Sequence, residues 1–395
     1  MGNARHPQVS RQTGQLTRVG ALVSFEIVTT ARDFAALEPE WTALVERAGD
    51  TVLMFQSHAW LAAWLKQFRP VDDGSLCVVL VRRDPRTGCA LPLEVVKQFG
   101  LRQLVFMGAP VSQYGDALVE PGIDRAAMVR QAWTLAVRHA NPALAWLGKV
   151  REDAGILPFL NVASAREIAW QEAPFADLAR YGGIESFRTA KSAKRLKNIR
   201  RLRRRLEERG QLDVVWNMAG EQASDAVRAT FVMKRAWLRS QGLVSIAFAE
   251  PGTEQFFTDV CSRPDTTGVE VSAVKSAGEL TNTQIMVEHA GRLGLHITAY
   301  NLKFEKSGAG VIHIEALFEE AYRRGIRTLD FLAPRHAYKD DWADGMVRVS
   351  DYAIPLTVSG RIYTLLYLRI LREGVKRLVR LLPGPVARGL AGRFL

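Results

Sequence analysis

The sequence has few cysteines: three in 395 residues, Cys77, Cys89 and Cys261. None has the Cys-x-x-Cys spacing of a zinc site, and an odd total argues against a closed disulfide framework, so a reducing cytoplasmic setting is expected. No run of about 18 uncharged apolar residues occurs, which leaves no candidate for a membrane-spanning helix. The first twenty residues are polar and charged and lack the apolar core of a secretory signal. Also missing are a His-Glu-x-x-His helix, a Gly-x-x-x-x-Gly-Lys-[Ser/Thr] phosphate loop and a Ser, His, Asp order, so zinc hydrolase, nucleoside triphosphatase and triad chemistry are without support. Acidic residues are in deficit. The 41 Asp and Glu face 53 Lys and Arg, a formal net charge of +12, and this favours anionic partners.

Core material is plentiful: 48% of residues are apolar, with 17 Phe and 9 Trp. The length exceeds the ~250–300 residues at which one core stops growing, so two domains are expected. Regular patterning starts at Phe25. FEIVTT reads as a strand, and ARDFAALEPEWTALVERAG places Phe34, Leu37, Trp41 and Leu44 at helical spacing. FQSHAWLAAWLKQF reads as a second helix, and LCVVLVRR, ALPLEVVKQF and LRQLVFMG as consecutive antiparallel strands. After residue 210 the same succession of strand, two helices and three antiparallel strands recurs in LDVVW, SDAVRATFVMKRAWLRSQG, EQFFTDVC, VEVSAVK, ELTNTQIMVEHA and RLGLHITAYNLKF. The repeat is one of topology, without close identity of residues.

The expected organisation is a disordered tail over 1–22, a first domain over 23–185, a basic amphipathic linking helix over 186–210, a second domain over 211–357 and a basic helical tail over 358–395. In KSAKRLKNIRRLRRRLEERG, nine of the first fifteen residues are Lys or Arg. Ala193, Leu196, Ile199, Leu202 and Leu206 recur at helical spacing in it, and such a stripe requires a partner surface. A free nucleic-acid arm has no such need, so nucleic acid is not the expected partner. The Leu-rich and Arg-rich tail over 358–395 either packs on the body or docks on an anionic membrane surface.

Chemistry concentrates in Leu295 to Trp342, LHITAYNLKFEKSGAGVIHIEALFEEAYRRGIRTLDFLAPRHAYKDDW. A strand ends, the small residues Ser307, Gly308 and Gly310 follow, and a helix begins. Backbone N–H groups at such a helix start can approach an anion closely, and the helix dipole favours a phosphate there.

The ordered series of Tyr300, the Ser307–Gly310 loop, the helix ending at Gly325, Asp330-Phe331-Leu332, Tyr338-Lys339 and Trp342 resembles the GNAT-like acetyltransferase family of CelD-type proteins. That family is associated with bacterial polysaccharide synthesis and related to the Fem-type aminoacyltransferases. Phe55, Ser57, Trp60, Pro92-Leu93, Gly108, Tyr114 and Asp116 extend the resemblance over roughly 24–357. Ala309, Asn301 and Ala333-Pro334 depart from the family's usual Pro, acidic and glycine positions.

The resemblance implies an α/β (α+β) fold of two tandem GNAT-like domains, each a mixed, mainly antiparallel sheet flanked by helices. It implies an acyltransferase with acetyl-CoA or another acyl-CoA as co-substrate and no metal, acting on an amine or hydroxyl of a small molecule or saccharide. Thr298, Ser307, Gly308, Ala309, Gly310 and Val311 would then hold the donor. Tyr300 or Tyr338 would protonate the leaving thiolate, and Glu288, His289 or His296 would accept the nucleophile's proton, directly or through water. Asp116, Lys191, Arg195, Asp330, Lys339 and Trp342 would line the acceptor's approach. For each of these a structural role stays open: packed aromatic for Tyr300 and Trp342, solvated cation for Lys339, turn cap for Asp330. A Fem-like aminoacyl-tRNA donor, a nucleic-acid-binding protein and a membrane-surface scaffold are the competing readings.

Overall fold

The structure is a computed structural model that describes residues 11–366 except 19–20, 50–51, 84–85, 123–124, 192 and 244, and describes 11–18, 21–22, 193–195 and 246 by backbone alone. The tail over 367–395 therefore lies outside the described residues. Two compact units divide the chain, one running to Trp170 and resuming at Ser350, the other spanning Gln171–Val349.

In the first unit β1 (Arg11–Arg18) and β2 (Ala21–Val28) precede three helices, α1 (Ala31–Ala35), α2 (Glu38–Ala48) and α3 (His58–Phe68). Then come β3 (Leu76–Arg83), β4 (Arg86–Gln98), β5 (Leu101–Phe106), the short β6 (Leu118–Val119), α4 (Arg125–Ala140), β7 (Leu144–Arg151) and α5 (Leu157–Val162). The strands order β1-β2-β3-β4-β5-β7, with β6 beside β4. All described pairs are antiparallel except β5 with β7. Val129, Ala132 and Ala136 of α4 pack with Val79, Leu91 and Leu104 in one core. The expected disordered tail is corrected at Arg11–Arg18, which pairs with Ala21–Val28. RQTGQLTR has no alternating apolar face to announce a strand, and its pairing comes from backbone bonds that composition does not show.

The chain enters the second unit along β8 (Arg166–Asp177), so that unit starts at Gln171 and includes the stretch expected as a linker. There the chain forms α6 (Ile184–Ala190) and α7 (Ala193–Glu207), then β9 (Leu212–Val215), α8 (Gly220–Ser240), α9 (Ile246–Ala249), α10 (Pro251–Cys261) and α11 (Pro264–Thr267). Next are β10 (Val269–Ser276), β11 (Glu279–His289), β12 (Arg292–Tyr300), a 3-10 turn over Leu302–Ser307, α12 (Ala309–Arg323), β13 (Thr328–Asp330), α13 (Ala337–Asp340) and β14 (Gly345–Pro355). Residues 350–357, expected in the second domain, return to the first unit, where α14 (Val358–Tyr363) follows.

Within the second unit the strands order β8-β13-β12-β11-β10-β9. Its hairpins turn on Ala277-Gly278 and Ala290-Gly291, all four residues at positive φ, the geometry two-residue hairpin loops prefer. Neighbouring strand residues face opposite sides. Asn282 thus meets His313 of α12, while Thr283 meets Thr230 of α8. On the α12 side Phe187, Met286, Leu295, Phe318, Phe331 and Trp342 form the core. Ile199, Leu202 and Leu206 of α7 are buried, and Leu202 and Leu206 pack with Phe304, Ala309 and Ile312 at the start of α12.

Candidate functional site

The site is built on an interruption in the second sheet. β12 pairs in parallel with β13 only from Arg292↔Thr328 to Gly294↔Asp330. Just beyond, its register against β11 slips: Met286 opposes Leu295 and Ile285 opposes Ile297, so His296 is a bulged residue. A bulge bends its strand and ends regular pairing. From that point β12 continues to Tyr300 while β13 stops.

The parity of the remaining hydrogen bonds shows what the open edge presents. Asn301 N–H donates to Thr281 O across the β11 side, 2.9 Å. Strand residues alternate in the side to which their N–H and C=O point, so Thr298 and Tyr300 turn theirs toward the side β13 has left. The Thr298 carbonyl accepts from the Lys234 ammonium of α8 at 3.2 Å, in agreement with that parity.

Side chains converge on this edge. The Thr298 hydroxyl donates to Gln284, and the Tyr338 hydroxyl lies close enough to Thr298 to feel it electrostatically. Tyr300 donates to Glu305 at 3.4 Å. Burial and then the Glu305 charge raise its pKa, against a contact with Trp237 that lowers it. Burial also raises Tyr338, with the Thr298 contact opposing. Both phenols therefore stay protonated at neutral pH and suit proton donation rather than proton acceptance. The Lys234 pKa is lowered by burial, and the His336 pKa is lowered by burial, then by Lys339 and Lys234. The His336 ring lies parallel to Tyr338, centroids 6.1 Å apart, and His296 lies 5.0 Å from the Phe257 ring.

The start of α12 completes this corner. Gly308 is its N-cap, at φ +78°. The Ser307 hydroxyl donates to Phe304 O at 2.6 Å and accepts from Ala309 N–H at 3.3 Å. The N–H groups of Val311 and Ile312 fold back to Gly308 O. A Cβ on Gly308 would stand 2.6 Å from a Leu202 methyl, whereas Gly310 has only the Asn282 amide within 4 Å, at 3.9 Å. Of the expected donor residues, Ala309 and Val311 thus have their amides bound internally, and Gly310 has the open position.

The remaining expected residues separate into groups. Thr298, Tyr300 and Tyr338 come together. Glu288 does not join them: it opposes Leu293, four residues along β11 from Gln284, about 13 Å away at strand rise, and pairs with Arg324. His289 lies one residue farther in the same direction. Asp330 is fully buried, accepting from Leu332 N–H at 2.9 Å and Arg292 at 3.1 Å. The Lys339 ammonium is buried and donates to the carbonyls of Leu332 and Pro334, at 2.8 and 2.7 Å. The solvated position considered for it is corrected by these bonds. Trp342 stacks on Phe318 in the core, centroids 5.1 Å apart. Lys191 pairs with Asp344 at 3.1 Å and donates to Trp342 O at 3.2 Å. The Arg195 side chain lies outside the described residues.

Asp116, in the first unit, is buried and accepts from the N–H groups of Gly155 and Ile156, each at 2.8 Å. It holds a turn. The parallel pair of that unit, β5 with β7, also ends early, at Val105↔Trp146. Here the chain fills its own gap. Gly115 N–H donates to Lys149 O at 3.1 Å, and a Cβ on Gly115 would lie 2.5 Å from the Phe106 ring. β4 and β5 pair without a bulge.

A cavity of about 310 Å³ lies between α6, α7 and α12. Its charges are largely matched internally, Arg188 with Glu185 and Glu315, each at 2.6 Å, and with Glu319. The strand edge, with unmatched backbone donors beside titratable groups, is the better place for chemistry. Lys234, Trp237, Glu305 and His336 at that edge were not found from sequence. A lysine three residues before a tryptophan on an amphipathic helix was the only available signal for Lys234 and Trp237. Among the described residues no group of three or more His, Cys, Asp and Glu is placed to hold a metal, and no helix is long and apolar enough to cross a membrane.

Comparison with known proteins agrees with this geometry. The family described as an acetyltransferase (GNAT) domain matches residues 193–340. A search of curated proteins by sequence found no match. Among solved structures, FemX aligns over 83% of this chain and 98% of its own, at 10% identity and a TM-score of 0.57. A conserved protein of unknown function from Bacteroides thetaiotaomicron VPI-5482 aligns over 81% and 97%, at 9% identity and 0.51. A tandem GNAT protein from the clavulanic acid biosynthesis pathway aligns over 87% and 98%, at 14% identity and 0.46. Identities this low speak to fold alone. Each unit is a mixed, mainly antiparallel sheet flanked by helices, and the GNAT match falls within the second.

Proposed function

We propose that the second unit is an acyltransferase that moves an acyl group, acetyl in the simplest case, from acyl-CoA to an amine or hydroxyl of a small molecule or saccharide precursor. One observation carries the reading: β12 outruns β13 and turns the N–H groups of Thr298 and Tyr300 into the gap. An amide-bearing pantetheine arm can pair there as a short extra strand, and the Gly308-led start of α12 suits the phosphates at its other end. The matched family is consistent with this donor.

The residues then divide the work. An N–H at the β12 edge stabilises the oxyanion as the acceptor attacks the thioester carbonyl. The nitrogen or oxygen nucleophile forms a bond to that carbon, the C–S bond breaks, and Tyr300 or Tyr338 gives the departing thiolate its proton. His296, two residues from Thr298 on the bulge, accepts the nucleophile's proton through water. The CelD-type resemblance adds a saccharide acceptor, a role in polysaccharide synthesis and a cytoplasmic setting to the proposal. Asp330, Lys339 and Trp342 hold the 330–342 segment in place beneath the site and serve the acceptor indirectly.

Isothermal titration of coenzyme A and acetyl-CoA into wild type and Thr298→Pro tests the reading. Proline removes an N–H that makes no ladder bond, so the fold should survive, as checked by thermal melting, while coenzyme A affinity falls at least tenfold. No binding by the wild type, with RNA retained on the purified protein, would favour an aminoacyl-tRNA donor instead.

A further inference from the structure

Lys234 is not accounted for by packing or by ion pairing. Its ammonium donates to Thr298 O at 3.2 Å and lies 4.5 Å from the centre of the Trp237 ring. Partly buried ammonium groups are ordinarily matched by a carboxylate. Lys234 has none among the described residues, and the acids of this corner are engaged elsewhere. Asp330 binds Arg292, Asp340 binds Arg335, and Glu305 faces the Tyr300 hydroxyl.

An ammonium has three hydrogens, and the Thr298 carbonyl takes one of those on Lys234. Lys339 adds a like charge close enough for Lys234 to disfavour its protonation. Two neighbouring ammonium groups favour an anion beside them. The spare hydrogens stand at the β12 edge, beside the ring of Trp237.

We propose that Lys234 binds an anionic group, a carboxylate or a phosphate, carried by the acyl acceptor, and so selects acidic acceptors for transfer at the β12 edge. This rests on the acyl-transfer reading above. The anion anchors the acceptor on the α8 side of the edge, and a nucleophile a few bonds away from it reaches the carbonyl carbon held by the strand. Charge-assisted hydrogen bonds of this kind are short and about twice as strong as neutral ones, enough to discriminate an acid from its amide.

The test uses Lys234 itself as the reporter. Wild-type protein is labelled with N-hydroxysuccinimidyl acetate in the presence of sodium phosphate, sodium acetate or glycerol at matched ionic strength, and each lysine is followed by peptide mass spectrometry. Labelling of Lys234 at least threefold slower in phosphate or acetate than in glycerol is expected, with Lys197 and Lys303 unaffected. The anion that protects better distinguishes a phosphate-bearing from a carboxylate-bearing acceptor. Equal labelling of Lys234 in all three, or slowing shared by every exposed lysine, overturns the proposal. Coenzyme A titrated into the same preparation reports on the donor separately. Binding without anion protection overturns the anion site alone, and anion protection without coenzyme A binding overturns the acyl-CoA reading while the anion site stands.

Discussion

Lys339 shows how a residue that looks like surface chemistry becomes a structural part. Two backbone carbonyls and the Asp330 charge surround its ammonium, yet burial dominates and lowers its pKa to about 8. Because the folded state binds this proton less tightly than the unfolded chain does, the unfolded state carries more protons between about pH 8 and the ordinary lysine range. Stability therefore rises with pH across that window. Denaturant melts of wild type from pH 7.5 to 10 should gain on the order of 2 kcal/mol from this group relative to Lys339→Met. Parallel curves for the two proteins would show that Lys339 keeps an ordinary pKa. Lys339→Ala at pH 7 should cost roughly 2–3 kcal/mol, because it leaves the carbonyls of Leu332 and Pro334 without their donor.

Some residues that meet at the candidate site were legible in the chain. Thr298, Tyr300 and Tyr338 follow from a strand, loop and helix in fixed order, and all three meet at the β12 edge. Glu288 was close in sequence yet ends up about 13 Å along the sheet, since hairpin register, not chain distance, decides which residues are neighbours. Lys234 was not legible at all. On its own helix it resembles any solvated lysine, and only the approach of β12 from sixty residues away gives it a role.

Among the elements, α7 is the clearest case of a pattern read correctly for its faces and less well for its place. Its apolar stripe is buried through Ile199, Leu202 and Leu206, as the spacing required, but it packs on α12 within the second unit instead of linking two domains. Leu206→Ala should cost roughly 2–4 kcal/mol by leaving a cavity. The triple change Arg201→Ala/Arg204→Ala/Arg205→Ala, on exposed positions, should shift stability by no more than about 0.5 kcal/mol per site. Chemical denaturation of the two variants checks both. Gly308 ties α7 to the start of α12: φ is +78° and Leu202 lies against it. Gly308→Ala should therefore destabilise by about 1–2 kcal/mol, and Gly308→Ala/Leu202→Ala by less than the sum of the single changes. Strict additivity would mean that the two do not touch.

At the scale of the molecule, the two halves share an order of elements but differ at the edge where the proposal places the chemistry. In the second unit a bulge at His296 and an early end to β13 leave an open edge. In the first, Gly115 and its neighbours occupy the corresponding gap. The repeated topology was visible in the sequence because hairpin turns and helical spacing are local signals. The strands shared by neighbouring stretches, β8 and β14, were not, since nothing local in REIAW or VSDYAIP says which sheet takes each end. On the proposed reading each chain has a single donor site, and titration of coenzyme A should give a stoichiometry near one. A value near two would assign a working site to the first unit as well.

The most direct measurement of the open-edge assignment is amide hydrogen–deuterium exchange with and without saturating coenzyme A. Binding of the pantetheine arm along β12 predicts at least tenfold slower exchange in the peptide covering Thr298 and Tyr300, with exchange around Gly115 unchanged. Coenzyme A bound by calorimetry with no change in exchange at Thr298 and Tyr300 would contradict it.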